Sequence, residues 1–210
     1  MATPEPRPFL SGVILAAGAS TRMGRPKQLL PLGDRCLLQH VIDAAAASCL
    51  DEIIVVLGHR AQEIREALQL PASSTVRIMV AGDYAHGQSA SLRAGLRAAS
   101  LESTAAAILL GDQPQVTREL IDRVARQYVN AESAIARPVY SDRDGGRVPG
   151  HPVLLARRIW PEVEKLEGDQ GARTLISTHP EWVAEIATEG EPAADIDTVE
   201  DYERTSRSDA

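Results

Sequence analysis

Lys27 ends a loop whose residue types suit the binding of a phosphorylated ligand. Residues 13–17 form a short apolar run, as expected of one buried strand, and the loop follows it directly. The loop contains Gly18, Ser20, Arg22 and Gly24. Small side chains and glycines let backbone N–H groups approach a ligand closely. The pattern predicts a phosphate-binding loop in which cations such as Lys27 and Arg22 neutralise a polyanion.

Asp112 follows a second apolar run, at residues 105–110, and is therefore expected at the rim of the same sheet. Mg²⁺ is commonly held by one or two carboxylates and completes its coordination with phosphate oxygens and water. Opposite a phosphate-binding loop, Asp112 is predicted to be a metal ligand. An aspartate after a strand also serves often as a helix cap or a turn residue, so that role stays open.

A second acidic segment lies near the end of the chain. Asp195 and Asp197 alternate around Ile196, so in an extended segment their side chains point the same way. Two carboxylates on one side repel each other unless a cation lies between them. Alternatively, Asp197 or Thr198 caps the last helix. The residues alone leave both interpretations open.

Alternating apolar and amphipathic segments predict an α/β fold of the Rossmann-like three-layer α/β/α type, with a mostly parallel mixed sheet. Further strands are predicted at residues 52–57, 76–80, 105–110, 133–139, 153–155 and 183–187. Helices are predicted at residues 37–48, 61–70, 89–99 and 117–129, within 158–166, and from about residue 169. We expect one domain at residues 11–204, a flexible extension at 1–10 and a disordered tail at 205–210. Ligands of such sheets bind beyond the carboxyl ends of the strands.

The composition excludes several classes of protein. The net charge of −7 argues against a general nucleic-acid binder, and no run approaches 18 apolar residues, so no membrane span is expected. Cys36 and Cys49 lack metal-ligand spacing, which favours structural thiols in a reducing compartment. The chain is therefore predicted to be cytoplasmic. Neither the dinucleotide fingerprint nor the P-loop motif is present, which disfavours a Rossmann oxidoreductase.

Taken as a whole, the first loop resembles the signature of the nucleoside triphosphate transferases of the MobA/MocA type. The string Leu-Ala-Ala-Gly-x-Ser-x-Arg-Met-Gly-x-x-Lys spans residues 15–27. The segment around Asp112 and the closing segment at residues 195–202 are similar to two further motifs of that family, with Val199 replacing a usual proline. The resemblance extends from residue 13 to residue 202. It implies the fold of the nucleotide-diphospho-sugar transferases.

The resemblance also implies roles for individual residues. Lys27 and Arg22 are expected to stabilise the charge on a leaving pyrophosphate. It implies Mg²⁺ as cofactor, held by Asp112, by Asp197 and by Asp195 as a further contact. The residues implied to bind the nucleotide are Leu15, Ala16, Ala17, Gly18, Ser20, Gly24, Lys27, Gly87, Ser89 and Ser91. Gly87, Ser89 and Ser91 also open a predicted helix and would be unremarkable as its cap.

The MocA-type proteins in particular are similar around residues 150–152 and 168–173. That similarity implies that His151, Pro152 and Arg173 bind the acceptor. His151 precedes a proline and is biased toward an extended backbone, and Arg173 could clamp a phosphate from the start of a helix. Without the resemblance, both residues would be read as structural.

The expected reaction is transfer of CMP from CTP to the phosphate of molybdopterin-bound molybdenum, with release of pyrophosphate. Relatives that transfer a guanylyl group usually carry glycine at the position of Ala17, whose methyl group would narrow the space above the loop. The mechanism expected is in-line attack by the acceptor phosphate, which needs positioning and charge neutralisation rather than a strong base.

Two alternatives remain open from the sequence. The first is the same chemistry with another nucleotide or acceptor, as in a guanylyltransferase or a sugar- or alditol-phosphate nucleotidylyltransferase. The second is a non-catalytic carrier that delivers a finished cofactor to a molybdoenzyme. The combination of Lys27, Asp112 and Asp197 argues against the carrier, which has no need of metal ligands.

Overall fold

The computed structural model describes residues 7–20, 23–71, 75–142 and 144–208. Ten strands are found there: β1 (Phe9–Ala16), β2 (Pro31–Leu32), β3 (Arg35–Cys36), β4 (Glu52–Leu57), β5 (Val76–Val80), β6 (Ser103–Leu110), β7 (Ile135–Ser141), β8 (Arg147–Pro149), β9 (Val153–Ala156) and β10 (Val183–Thr188). Eight of them form one sheet in the order β10-β7-β9-β6-β1-β4-β5, with β8 paired to β7. The small strands β2 and β3 form a separate ribbon.

The sheet is mixed and mostly parallel, as the sequence predicted. The pairs β1–β4, β1–β6, β4–β5 and β7–β10 are parallel, whereas β9 runs antiparallel to both β6 and β7. The parallel strands therefore end at one edge of the sheet. Because β1 and β6 are neighbours in register, the segments that follow them emerge side by side.

Seven α-helices cover the sheet in the described part of the chain: α1 (Leu37–Ala46), α2 (Ala61–Ala67), α3 (Gln88–Ala98), α4 (Arg118–Asn130), α5 (Trp160–Val163), α6 (Ala172–Thr178) and α7 (Val199–Ser208). Successive strand side chains point to opposite faces. Ile14 therefore packs with α1, α2 and α4, while Val13 packs with α3, α5 and α6. These two buried clusters establish the three layers. Across the described ranges, no helix has the length and apolar character needed to span a bilayer.

The predicted bounds differ from the structure mainly in the second half of the chain. The region predicted as a helix at 158–166 is a 3₁₀ turn, Arg157–Ile159, followed by the short α5, and the helix expected from about residue 169 begins at Ala172. The sequence did not predict β8, whose three residues are too few for a recognisable pattern.

The predicted ends of the domain also differ. Phe9 and Leu10 belong to β1, although they fall within the expected extension at 1–10. At the other end, α7 continues to Ser208, so the expected tail from residue 205 begins inside a helix. Thr205 is buried there and accepts a hydrogen bond from Gln115, and this contact explains why the helix continues.

Both cysteines are free thiols. Desolvation by burial, together with Asp122, raises the pKa of the Cys49 thiol to about 11. The thiol is therefore protonated at neutral pH and a poor nucleophile.

Candidate active site

The ammonium group of Lys27 lies between two carboxylates that are distant in sequence. Lys27 Nζ is 2.5 Å from Asp112 Oδ2 and 2.7 Å from Asp197 Oδ1. The side chains of Lys27 and Asp112 are only 15% and 18% exposed. The structure thus brings together the loop after β1, the end of β6 and the segment before α7.

The loop after β1 is fixed by its own polar side chains. Lys27 N donates a hydrogen bond to Ser20 Oγ (3.1 Å), and Gln28 Nε2 donates to Ala16 O (2.9 Å) and Gly18 O (3.2 Å). Gln28 is buried, so it reaches back beneath the loop and ties it to the end of the strand. These bonds hold the start of the 3₁₀ turn Lys27–Leu29 against β1 and thereby place the lysine.

Asp112 reaches the same place because β6 and β1 continue as neighbours past their last residues. Gly111 N donates to Leu15 O (2.9 Å), and a Cβ at Gly111 would lie 2.9 Å from Ala16 Cβ. Only glycine allows this close approach without displacing the backbone. The two segments that carry Lys27 and Asp112 are therefore held in contact.

The acidic segment near the end of the chain is anchored to the residues around Asp112. Ile196 N donates to Asp112 O (3.2 Å), and the Ile196 side chain is fully buried. Gln113 Nε2 donates to Asp195 Oδ1 (2.8 Å), which orients that carboxylate. Asp195 therefore lies near Asp112, and its charge contributes to raising the pKa of Asp112.

The structure distinguishes the two interpretations of Asp197 and Thr198. Thr198 caps α7: Asp201 N donates to Thr198 Oγ1 (3.1 Å), and Thr198 N donates to Asp201 Oδ2 (3.0 Å), a reciprocal capping box. Asp197 instead faces Lys27. The cap and the acidic site thus use adjacent residues for different purposes.

The electrostatics of the cluster reflect burial and close charges. Desolvation by burial raises the pKa of Asp112, although the nearby Lys27 opposes that shift. Burial alone would lower the pKa of Lys27, but the charges and hydrogen bonds of Asp112 and Asp197 outweigh it, so the pKa of Lys27 is raised. The lysine is therefore a fixed cation at neutral pH.

A cavity of about 580 Å³ opens at this edge of the sheet, next to Lys27 and Asp112. The residues predicted to bind a nucleotide that line it are Leu15, Ala16, Ala17, Gly18, Lys27, Gly87 and Ser91. His59, Tyr84 and Gln28 line it too. No sequence pattern indicated His59 or Tyr84, because His59 lies in a turn and Tyr84 in a short 3₁₀ helix, and the position of both depends on the tertiary fold.

A second cavity of about 350 Å³ adjoins the first. His151 and Arg173, predicted to bind the acceptor, both line it. Desolvation by burial, reinforced by Arg173 and opposed by Asp112, lowers the pKa of His151 to about 4, so its imidazole is neutral at pH 7. The residues that line both cavities are Leu15, Gln88, Leu110, Asp169 and Asp195. The two cavities therefore meet at a common wall.

Part of this wall depends on a close contact between two glycines. Gly87 has a φ of +97°, and a Cβ there would lie 2.3 Å from the carbonyl carbon of Gly168. Ser89 N donates to Gly168 O (3.0 Å). The loop before α6 is thereby held against the start of α3, which places Gln88 and Asp169 between the cavities.

Several predicted site residues lie elsewhere. Ser89 is fully buried, and its Oγ has no hydrogen-bond partner within the described ranges. Ser20 acts on Lys27 through the loop, while Gly24 and Pro152 are absent from the described residues that line the two cavities. Arg22 lies outside the described residues, so its predicted role stays a prediction.

The donor set suits a hard divalent cation. Asp112 and Asp197 oxygens that share one ammonium group lie within about 5 Å of each other, and carboxylate oxygens are the ligands that Mg²⁺ prefers. No group of three or more His, Cys, Asp or Glu side chains in the described ranges forms a complete metal site. A metal held here would take its remaining ligands from a bound phosphate and water, as Mg²⁺ commonly does.

A family model, the MobA-like NTP transferase domain, matches residues 12–183. The chain belongs to the MobA-like NTP transferase family. The resemblance predicted from the sequence is thus confirmed, and the MobA-like family accounts for the fold.

Among curated proteins, the chain is similar to several MobA-like relatives over nearly its full length. It is 32% identical to nicotine blue oxidoreductase of Paenarthrobacter nicotinovorans, covering 94% of this chain and 96% of that protein. It is 31% identical to purine catabolism protein PucB of Bacillus subtilis (96% and 98%) and 28% identical to molybdenum cofactor cytidylyltransferase of Escherichia coli (90% and 92%). These relatives carry different names, so the family alone does not define the acceptor.

Among solved structures, Rv0371c of Mycobacterium tuberculosis superposes with a TM-score of 0.83 at 32% identity, covering 96% of this chain and 99% of that one. A manganese complex of the same protein superposes with a TM-score of 0.78. A divalent metal therefore binds a structural relative of this MobA-like chain.

Proposed function

We propose that this protein transfers a nucleotidyl group, CMP from CTP, to the phosphate of a pterin-type acceptor such as molybdopterin-bound molybdenum, releasing pyrophosphate. The observation that carries this proposal is that Lys27 and Asp112 line one cavity, which shares a wall containing Asp195 with a second cavity. One cavity suits the nucleoside triphosphate and the other the acceptor.

The proposed mechanism is direct, in-line transfer between the two cavities. Lys27, fixed by Asp112 and Asp197, provides a cation for the triphosphate and the leaving pyrophosphate, and backbone N–H groups of the loop after β1 add to it. Asp112 and Asp197, with Asp195 nearby, would hold Mg²⁺, which supplies charge neutralisation at the phosphates when bound. An acceptor phosphate is already an anionic nucleophile, so positioning provides most of the remaining rate.

His151 and Arg173 support the assignment of the second cavity to the acceptor. Neutral His151 can donate or accept a hydrogen bond without adding charge, and Arg173 supplies a cation. Their predicted role in acceptor binding stays a proposal.

The choice of CTP rests on Ala17. Its side chain lines the first cavity and lies close to Gly58, where even a Cβ would be 2.8 Å from Ala17 Cβ. The methyl group therefore lies against Gly58 at the first cavity, and we infer that it limits the space for a base there, which favours a pyrimidine over a purine. The cytidylyltransferase among the relatives supports the same choice.

Pyrophosphate release tests the proposal. Each of the four common nucleoside triphosphates is incubated with Mg²⁺ and with molybdopterin-bound molybdenum, using wild-type protein, Lys27→Ala and Asp112→Asn. The matched controls are Lys165→Ala and Asp34→Asn, which change exposed side chains. We expect CTP-dependent release that falls by about a hundredfold or more in both site variants and stays unchanged in both controls.

The alternatives give different results in the same assay. Pyrophosphate release from GTP, or release only with a sugar phosphate as acceptor, would support the proposed reaction but with a different nucleotide or acceptor. Cofactor binding without Mg²⁺ and without pyrophosphate would indicate a carrier. Near-normal turnover in both site variants would refute the proposed machinery.

A further inference from the structure

Arg137 is an unusual residue for its position. It lies in the middle of β7, between buried Ala136 and Pro138, and its side chain is only 19% exposed. Placing a guanidinium group in such a strand is costly unless it is paired or serves a ligand. Arg137 was not singled out by its sequence, because a lone arginine in a strand carries no pattern.

The pairing of Arg137 is incomplete. Its Nη2 donates to Glu185 Oε1 (2.6 Å) on β10, the residue opposite it in register, but its buried Nε has no hydrogen-bond partner in the described part of the chain. Arg147 also pairs with Glu185. Glu185 is thus shared between two guanidinium groups, so it neutralises Arg137 only in part, and a buried N–H donor of Arg137 stays free.

Arg137 lies at the second cavity together with another cation. Arg137 and Arg173 both line it, whereas Asp169 and Asp195 line the wall that it shares with the first cavity. The cavity is therefore lined by acidic side chains at the common wall and by cations elsewhere. Complementary charge favours an anionic group of a ligand next to the two arginines.

Arg137 lies away from the place proposed for the reacting phosphate. β9 separates β7 from β6, so Arg137 is two strand spacings, roughly 10 Å, from the strand that leads to Asp112. Its guanidinium group is also held by Glu185 on β10, the strand beyond β7. Arg137 is therefore held on the side of β7 that faces away from β6, and a phosphate beside Asp112 is expected to lie nearer to Lys27 than to Arg137.

We propose that Arg137, together with Arg173, binds a second anionic group of the acceptor, remote from the phosphate that receives the nucleotide. The inference rests on the proposed function, because it takes the second cavity as the acceptor site. Binding energy from such a remote group positions the reacting phosphate. The acceptor class is then a phosphomonoester with a further negative group about 10 Å away.

Binding of simple probes tests this inference without requiring turnover. An alkane with a phosphate at each end, long enough to cross two strand spacings, is compared by calorimetry with the same alkane carrying one phosphate, both in Mg²⁺. The proteins are wild type, Arg137→Gln, Arg173→Gln and Arg137→Lys, with Arg147→Gln as matched control. Arg147 shares Glu185 but is 70% exposed and is not among the described residues that line the cavity.

We expect the bisphosphate to bind wild type at least about tenfold more tightly than the monophosphate. Arg137→Gln and Arg173→Gln should each remove that advantage, Arg137→Lys should keep part of it, and Arg147→Gln should keep all of it. If Arg137→Gln does not fold, Arg173→Gln provides the same test from α6.

Three results would overturn the inference: equal affinity of both probes for wild type, equal losses in all the glutamine variants, or no loss in Arg137→Gln and Arg173→Gln. The readout is separate from the proposed function. Absence of pyrophosphate release together with an Arg137-dependent bisphosphate preference would refute the reaction and leave the anion site standing.

Discussion

Replacing Lys27 with methionine should destabilise the protein in a way that depends on pH. Methionine keeps the length and apolar stem of the side chain and removes only the charge between Asp112 and Asp197. The variant leaves Asp112, whose side chain is 18% exposed, facing acidic neighbours without a cation. Breaking a buried ion pair costs about 3–5 kcal/mol of unfolding free energy. Because Asp112 is still partly exposed to solvent, we expect a smaller loss of about 2–3 kcal/mol near pH 8.

The sign of the pH dependence follows from the pKa of Asp112. Burial raises this pKa, and loss of Lys27 removes the charge that opposes the shift. A folded-state pKa above the unfolded one makes the folded protein bind the proton more readily, so the destabilisation is present above the folded pKa and is relieved as pH falls through it. Protonating Asp112 therefore reduces the difference in unfolding free energy between variant and wild type.

Urea unfolding near pH 8 and near pH 5 measures this difference in unfolding free energy between variant and wild type. Lys165→Met is the control, because Lys165 is exposed and is not among the described residues that line the cavities. The control should stay within about 0.5 kcal/mol of wild type. Mg²⁺ should reduce this difference in unfolding free energy near pH 8, since it replaces the positive charge lost with Lys27. A difference in unfolding free energy below about 0.5 kcal/mol, or one that is equal at both pH values, would show that Lys27 does not stabilise a charged Asp112.

Three further predictions concern single residues. His151→Gln should weaken the dependence of stability on acid pH. The pKa of His151 is lowered to about 4 in the folded protein, so wild type loses up to about 3 kcal/mol of unfolding free energy as pH falls from the unfolded pKa near 6.5 to 4. Urea unfolding free energies that fall equally with pH in variant and wild type would contradict this. Thr198→Ala should cost about 1 kcal/mol by removing the cap that pairs with Asp201, whereas Thr198→Ser should cost little, as thermal unfolding can show. Ala17→Gly should shift the ratio of the affinities for CTP and GTP toward GTP. An unchanged ratio would show that the Ala17 methyl group does not select the base.

The sequence was sufficient to predict the layers and most of the first half of the chain. The continuous apolar run in β1, whose Ile14 and Val13 lie on opposite faces, is a strong local signal of a strand buried on both sides, and the apolar runs elsewhere defined the sheet. The proximity of Lys27 and Asp112 was also predictable, because both follow parallel strands whose ends meet at one edge.

Other features depend on contacts that no local pattern encodes. The full length of α7 was missed because its residues are mostly polar, yet Tyr202 Oη donates to Pro31 O (2.6 Å) and Thr205 is buried. The roles of Gln28 and Gln113, which fix the loop and Asp195, depend on backbone and carboxyl groups brought close by folding. Arg137 can be recognised as a candidate ligand-binding residue only from the fold, which pairs it with β10 and places it at the same cavity as Arg173 of α6.

The position of a bound divalent metal decides whether Asp112 and Asp197 form the metal site of a nucleotide-binding cavity. A crystal structure with Mn²⁺ and a non-hydrolysable CTP analogue locates the metal by its anomalous scattering. We predict one Mn²⁺ between the carboxylates of Asp112 and Asp197, in contact with the nucleotide phosphates, and Lys27 displaced toward the triphosphate. Mn²⁺ bound away from both carboxylates, or a nucleotide outside the cavity beside Lys27, would contradict the account.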